Sequence, residues 1–206
     1  YLGLKQFNAR GRARNFTNGQ LPFIVREAKK NNVRVYITLN TVVKNSEIPE
    51  LIDYLHFLNQ AKIDGIIIQD WGVYYLAKHF FPNLSIHAST QLGIHNSMGA
   101  NFSGDKGFDR VVLARELTLG ELETICKKSR VETEVFIHGA LCYSFSGMCL
   151  YSSYSGGRGA NRGLCTQPCR RVYSTRKKNT YLFNLKDNQL IDSVNYLSEI
   201  GLNSLK

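Results

Sequence analysis

Four cysteines, Cys142, Cys149, Cys165 and Cys169, fall within 28 residues at the spacing C-x6-C-x15-C-x3-C. They lie in the segment HGALCYSFSGMCLYSSYSGGRGANRGLCTQPCRR, rich in Gly, Ser, Tyr and Arg. Thiolates are soft metal ligands and good nucleophiles, so three chemistries suit this set. A structural zinc site pairs its ligands as C-x2–4-C, which only Cys165 and Cys169 satisfy. A thiol nucleophile needs one cysteine and a base, and His138 precedes Cys142, but four cysteines exceed that need. A [4Fe–4S] cluster takes four thiolates and accepts wide spacing where a loop folds over itself. Gly147, Gly156, Gly157, Gly159 and Gly163 would permit such folding. Spacing leaves all three open. The fifth cysteine, Cys126, shares an apolar helical stripe with Leu122 and Ile125 and reads as core.

The surroundings of the cysteines are basic. Net charge is +10, and from His138 to Thr180 there are seven Lys/Arg and no acid: Arg158, Arg162, Arg170, Arg171, Arg176, Lys177 and Lys178. A second acid-free stretch, Tyr1 to Arg26, carries Lys5, Arg10, Arg12, Arg14 and Arg26. Two such segments suit a polyanion, nucleic acid being the usual one, or else form a solvated basic face with no partner. No apolar run approaches the roughly 18 residues of a membrane span. Five cysteines in an enzyme-like chain of 206 residues argue against a secreted disulfide scaffold, so a reducing cytoplasm is expected. Both termini fall in apolar runs, and the chain reads as one domain, residues 1–206, of a longer protein.

Elements that would position these residues alternate along the chain. Strands are expected at Tyr1–Leu4, Val33–Thr38, Gly65–Gln69, Leu84–His87, Arg110–Leu113, Glu134–Ile137, Tyr181–Asn184 and Asn203–Lys206. Helical spacing appears over Leu21–Asn31, Glu47–Lys62, Gly72–Phe81, Thr118–Ser129 and Gln189–Ile200, and Thr118 with Glu121 has capping-box spacing. Repeated β-then-α units imply a parallel sheet. With no Gly-x-Gly-x-x-Gly after the first strand, an α/β fold of the (β/α)8 TIM-like barrel type is expected, clipped at both ends. The Cys/Gly/Arg-rich segment is then a long loop after the sixth strand, opening on the same face as Arg10–Arg14.

Loops after barrel strands form the active face. Polar residues just past the expected strand ends include Asn40, Gln69, Asp70, Ser89, Gln91, Arg115, Glu116, His138, Lys186 and Asp187. Among them His138, Asp70 and Glu116 are the candidates for proton transfer. Asp70 and Glu116 could equally pair with Arg115 or Lys186, and His87 and His138 could equally be hydrogen-bonded strand ends. Ser89, Gln91 and Lys186 are candidates for holding a base edge or a small-molecule co-substrate. Arg158, Arg162, Arg170 and Arg171 are candidates for phosphate.

The string EVFIHGALCYSFSGMCLYSS, continued by GGRGANRGLCTQPCR, resembles the signature of peptidase family U32. YLGLKQFNAR, ITLNT, IIIQDWG, ASTQL, VVLARELT and LFNLKD resemble that family's strand-end motifs in order, so the likeness spans essentially the whole chain. It implies a barrel domain and two functions. The older one is a collagenase-like protease. Here there is no H-E-x-x-H, no G-x-S-x-G and no secretion signal to support it. The newer one is hydroxylation of a pyrimidine in tRNA or rRNA, or of a quinone precursor, by members that hold a [4Fe–4S] cluster on four cysteines. That ligand set maps onto Cys142, Cys149, Cys165 and Cys169, and the C-x3-C pair fits the RNA-acting branch. Tyr143, Phe145, Tyr151, Tyr154 and Tyr173 could stack unpaired bases, or simply pack the loop onto the barrel. The expected protein is therefore an RNA pyrimidine hydroxylase with rRNA or tRNA as partner. The alternatives are a peptidase and a zinc-stabilised, non-catalytic RNA-binding module.

Overall fold

A computed structural model describes residues 1–206 except Thr175 and Lys177, so Lys177 of the basic run lies outside the described residues. Five strands, β1 (Tyr36–Leu39), β2 (Gly65–Ile68), β3 (Ser85–Ala88), β4 (Arg110–Val112) and β5 (Glu132–Val135), alternate with helices. The helices are α1 (Leu21–Lys30), α2 (Ile48–Gln60), α3 (Trp71–Phe80), α4 (Ser97–Lys106) and α5 (Leu119–Lys128). After the cysteine segment come α6 (Tyr151–Gly156), α7 (Val194–Glu199) and the short strands β6 (His138–Gly139), β7 (Tyr173–Ser174), β8 (Asn179–Thr180), β9 (Asn188–Gln189) and β10 (Ser204–Leu205). The main sheet runs β1-β2-β3-β4-β5-β10, parallel throughout.

The sheet is curled. At one edge Leu2 bridges in parallel to Ile37, and at the other lies β10. Between these edges the Lys206 ammonium stands 4.0 Å from the Tyr1 ring centroid. Period-2 alternation explains what lies on each side. Ile37, Leu39, Ile66, Ile68, Ile86 and Val111 face the helices and join the apolar core with Leu51, Leu55 and Leu58 of α2. Thr38, His87 and Glu134 fall on the other set and are buried as well.

That inner set is charged. Glu134 takes Lys206 at 2.9 Å and Arg110 at 3.2 Å. Burial alone would raise the Glu134 carboxyl, but Lys206 and Arg110 bring it below the ordinary carboxylate range. Burial, with Arg110 nearby, pushes His87 down to about 4, so it is neutral at physiological pH, and its ring lies tilted against that of Tyr36, centroids 4.5 Å apart.

Several expectations shift. Tyr1–Leu4 pairs only through isolated bridges, so the cysteine loop follows β5. The sixth expected strand sits two residues earlier, at Glu132–Val135. Tyr181–Asn184 is no strand: of its apolar run, Phe183 serves a ring cluster while Tyr181 and Leu182 stay exposed. Helix α4 escapes periodicity because it buries only Ala100 and Ser103 and contains Gly99 and Gly104. Gly104 is needed there, since a Cβ would lie 3.0 Å from Val131. Asn96 caps this helix by accepting the Gly99 N–H.

Glu134→Gln leaves Lys206 and Arg110 without their shared buried counter-charge and is expected to cost about 3–5 kcal/mol in urea unfolding. Adding Lys206→Met to that variant is expected to recover most of the loss.

Candidate functional site

Strand ends at one rim of the curled sheet carry the site. Asn40 follows β1, Ser89 and Gln91 follow β3, Arg115 follows β4 and Phe136 follows β5. With Asn8 they line a mouth cavity of about 260 Å³. A second cavity of about 520 Å³ lies under the cysteine segment. Cys142, Cys165 and Cys169 line it, together with Arg10, Arg12, Arg115, Arg158, Arg170 and Arg171, and no Asp or Glu does. The two cavities share Ala9, Arg10, Ala13, Arg115 and Cys142. The two acid-free stretches of sequence thus meet in one place.

The cysteine segment is fastened to the rim by polar contacts. The Arg162 guanidinium forks onto the Glu47 carboxylate, one arm at 2.7 Å, and also donates to the Val42 carbonyl. The Val42 N–H donates to the Asn161 carbonyl at 3.0 Å. Glu116 accepts both the N–H and the hydroxyl of Ser146, a residue held at φ +46°. Gly163, at φ +75°, approaches so closely that a Cβ would lie 2.1 Å from the Asn8 carbonyl oxygen. Farther out, Tyr143, Tyr151 and Tyr173 surround Phe183, with the Tyr151 and Tyr173 hydroxyls 2.6 Å apart.

Three thiols face one cavity. The Cys165 sulfur accepts the Gln167 N–H at 3.3 Å, and the Cys149 sulfur accepts the Tyr151 N–H at the same distance. Cys149 is half-buried and is not among the lining residues. Burial pushes the Cys169 thiol up, and Arg170 opposes that shift. Among the described residues no three His, Cys, Asp or Glu side chains stand close enough to hold a single metal ion. Thiols that line one cavity without converging on a single point suit a polynuclear cluster better than a tetrahedral ion, whose ligands all lie about 2.3 Å from one centre. Cys126 sits on α5 with its thiol 3.6 Å from the Thr133 hydroxyl, pushed up by burial, and packs against the core.

The other sequence candidates divide. Asp70 is a helix cap rather than an acid of the mouth: Oδ1 accepts the Gly72 and Val73 N–H groups and Oδ2 accepts that of Val43. His138 is exposed in the β6–β9 pair and lines neither cavity, and neither does Lys186. Arg162 is consumed by Glu47. Arg170 lines the cavity but also donates to the Leu141 carbonyl at 2.9 Å and reaches Asn184 and Asp187. Burial would raise Glu116, yet the Ser146 bonds and Arg115 lower it, so it acts as an anion that positions the loop. His95 Nε2 stands 3.6 Å from it and stacks on Phe145 at 4.2 Å. Ser89 and Gln91 do line the mouth. Lys206 lines it too, though its sequence position at an expected strand end gives no sign of a role. Of the five aromatic candidates, Tyr143, Tyr151 and Tyr173 pack on Phe183, while Tyr154 is 93% exposed and Phe145 half-exposed.

A family model described as Peptidase family U32 matches residues 1–206. An uncharacterized protease of Methanocaldococcus jannaschii is 39% identical over 97% of this chain and 52% of its own. The tRNA hydroxylation protein P1 of Bacillus subtilis is 35% identical over 100% of this chain and 52% of its own. The 23S rRNA 5-hydroxycytidine C2501 synthase of Escherichia coli is 34% identical over 100% of this chain and 32% of its own. A solved structure of a U32 peptidase superposes with a TM-score of 0.65 at 13% identity, covering 99% of this chain and 81% of that one. The chain therefore spans about half the length, or less, of these curated relatives.

Arg162 holds the Glu47 carboxyl down to about 2 against an ordinary 4.5. A carboxyl lowered in this way stabilises the docked loop at every pH above its ordinary value, and that contribution vanishes as pH falls through about 2. Protection factors of the amides in residues 158–165, which remove the pH dependence of the chemical exchange step, are expected to hold from neutral pH down to about 4.5 and to fall toward about 2. In Arg162→Met they are expected to be low throughout.

Proposed function

The chain belongs to peptidase family U32, and from that premise we propose that it is the barrel domain of an RNA-modifying enzyme that hydroxylates a pyrimidine in tRNA or rRNA. The observation that carries the reading is the arginine-walled cavity, with three cysteines and, among the described residues, no acid, opening directly into a mouth lined by amides, hydroxyls, Arg10, Arg115 and Lys206. The names of the Bacillus and Escherichia relatives support it. In this reading the curled six-stranded sheet is the larger part of a (β/α)8 barrel, and residues 1–206 are one domain of a longer protein.

Cys142, Cys149, Cys165 and Cys169 would hold a [4Fe–4S] cluster. When bound, it supplies one-electron redox chemistry beside the mouth. The chain's own residues do the rest. Arg10, Arg12, Arg158 and Arg171 hold phosphates, and none of them forms an ion pair among the described residues. Phe145, backed by His95, offers a stacking face at the rim. The target base leaves its stack to enter the mouth, because its C5 edge is poorly accessible inside a paired A-form helix. Among the described residues no helix is long and apolar enough to cross a membrane.

The protease label has its support in the family name and the Methanocaldococcus relative. Against it, no His, Asp or Glu lines the mouth to activate Cys142, and the Ser146 hydroxyl donates to Glu116 rather than to a histidine.

Replacing Cys142, Cys149, Cys165 or Cys169 by Ser in anaerobically purified protein is expected to remove most of the bound iron and the brown colour, whereas Cys126→Ser keeps both. Full iron in all four variants, or zinc alone in the wild type, would falsify the cluster. RNA affinity is expected to fall steeply with salt. Replacing Arg10, Arg12, Arg158 and Arg171 together by Gln is expected to lower the slope of log K against log salt by roughly 0.7 for each single-strand phosphate that is no longer neutralised, with iron unchanged. An unchanged slope excludes these four as the phosphate grip.

A further inference from the structure

Two arginines, Arg10 and Arg115, line both cavities. Arg10 is exposed, whereas Arg115 is half-buried just past β4. The Arg115 Nε is shut off from solvent and has no hydrogen-bond partner. Among the described residues no carboxylate lies within ion-pair distance of the guanidinium, because Glu116, the next residue, is turned to Ser146. What holds the charge is the ring of Phe136, its centroid 5.8 Å from Cζ. A guanidinium placed this way has given up water without gaining an acceptor, a state that costs stability until one arrives.

Gly147 marks where that acceptor belongs. A Cβ on this residue would lie 3.2 Å from Arg115 Nη2 and 3.9 Å from Cys142 Sγ. Guanidinium and thiol thus flank one glycine, held at φ +81°, which has no side chain to part them. The other arginines of the second cavity stand differently. Arg10, Arg12, Arg158 and Arg171 are exposed, so a phosphate arriving from solvent meets them first. Arg170 is engaged by the Leu141 carbonyl. Arg115 alone combines a withdrawn position, an uncommitted charge and a thiol for a neighbour.

We propose that Arg115 raises the reduction potential of a cluster held on Cys142, Cys149, Cys165 and Cys169, rather than serving as a phosphate ligand. Reduction adds one negative charge to such a cluster. A guanidinium alongside favours the reduced state through its positive charge and through N–H donation to sulfur, and both effects raise the potential. The inference rests on the cluster reading above and names the residue that tunes it.

The test uses the full-length protein, purified anaerobically with its iron and titrated with dithionite against an electrode. Uptake of one electron is followed by bleaching of the brown colour and by the paramagnetic signal of the reduced cluster. Arg115→Met is expected to keep its iron and to lower the equilibrium constant for reduction at least about ten-fold, a midpoint lower by about 59 mV for one electron. Arg115→Lys, which keeps the charge and loses the planar fork, is expected to fall between the two. Arg14→Met removes the same charge from an exposed position that lines neither cavity, and is expected to leave the midpoint in place. A wild-type midpoint in iron-loaded Arg115→Met overturns the assignment, and weaker RNA binding by that variant would then place Arg115 in the phosphate grip. An equal shift in Arg14→Met overturns it too, by tracing the effect to net charge. Should Arg115→Met not hold iron, Arg115→Lys decides alone: a lower midpoint supports the assignment and a wild-type one overturns it. Wild-type protein that never holds a cluster overturns the cluster reading itself, and the inference with it.

Discussion

Everything at the rim depends on docking a long, acid-free, glycine-rich segment onto the curled sheet with little apolar interface of its own. Among the described residues the segment buries just two apolar side chains, Ala160 and Pro168. Its attachment is polar and discrete: Arg162 on Glu47, Ser146 on Glu116, and the backbone of Gly163 pressed against that of Asn8. Each contact joins the segment to a different strand-end loop. A charged fork of this kind adds direction as well as energy, because the guanidinium plane must match the carboxylate plane. The segment held this way supplies Cys142, Gly147 and Ala160 to the mouth and the three cysteines to the second cavity.

Electrostatics at the rim are sorted by depth. Acids that the sequence places near the mouth are all turned to structural work: Asp70 caps α3, Glu116 grips Ser146, Glu47 grips Arg162, and Asp187 faces Arg170. None of them reaches either cavity wall. What remains facing the open space is arginine, thiol, amide and hydroxyl. Such a surface attracts phosphate from a distance, and it sets the thiols beside arginines.

Beneath the mouth the inner face of the curled sheet carries a buried charged group. Glu134 ties Arg110 to Lys206 across neighbouring strands, and His87 is held neutral beside them. Glu134 is the shared partner, so its loss leaves Lys206 without its carboxylate and Arg110 with Glu132 alone. Lys206 belongs to this layer and also lines the mouth. At the rim an amide run leads from Ala9 through Asn40 to Gln91, where each group's orientation is dictated by its neighbour.

Short-range pattern carried much of this protein. Alternation and 3.6-residue spacing placed β1 to β5 and most helices to within a few residues, and Thr118 with Glu121 marked the start of α5 through a real capping box. Spacing picked out the four cysteines, and the absence of acids picked out the two basic stretches. Helix α4 stayed hidden because small residues and glycine leave no stripe to read. Tyr181–Asn184 misled because a short apolar, aromatic run looks alike in a strand and in a loop that gives one ring to a cluster. What each polar side chain does was a matter for the tertiary structure alone. Glu47 and Arg162 meet across 115 positions, Glu116 and Ser146 across 30, and no local rule links them. Residue type and spacing set which chemistry is available. Which arginine stays free and which aspartate becomes a cap depend on long-range partners, because a polar group's role is fixed by whatever satisfies it first.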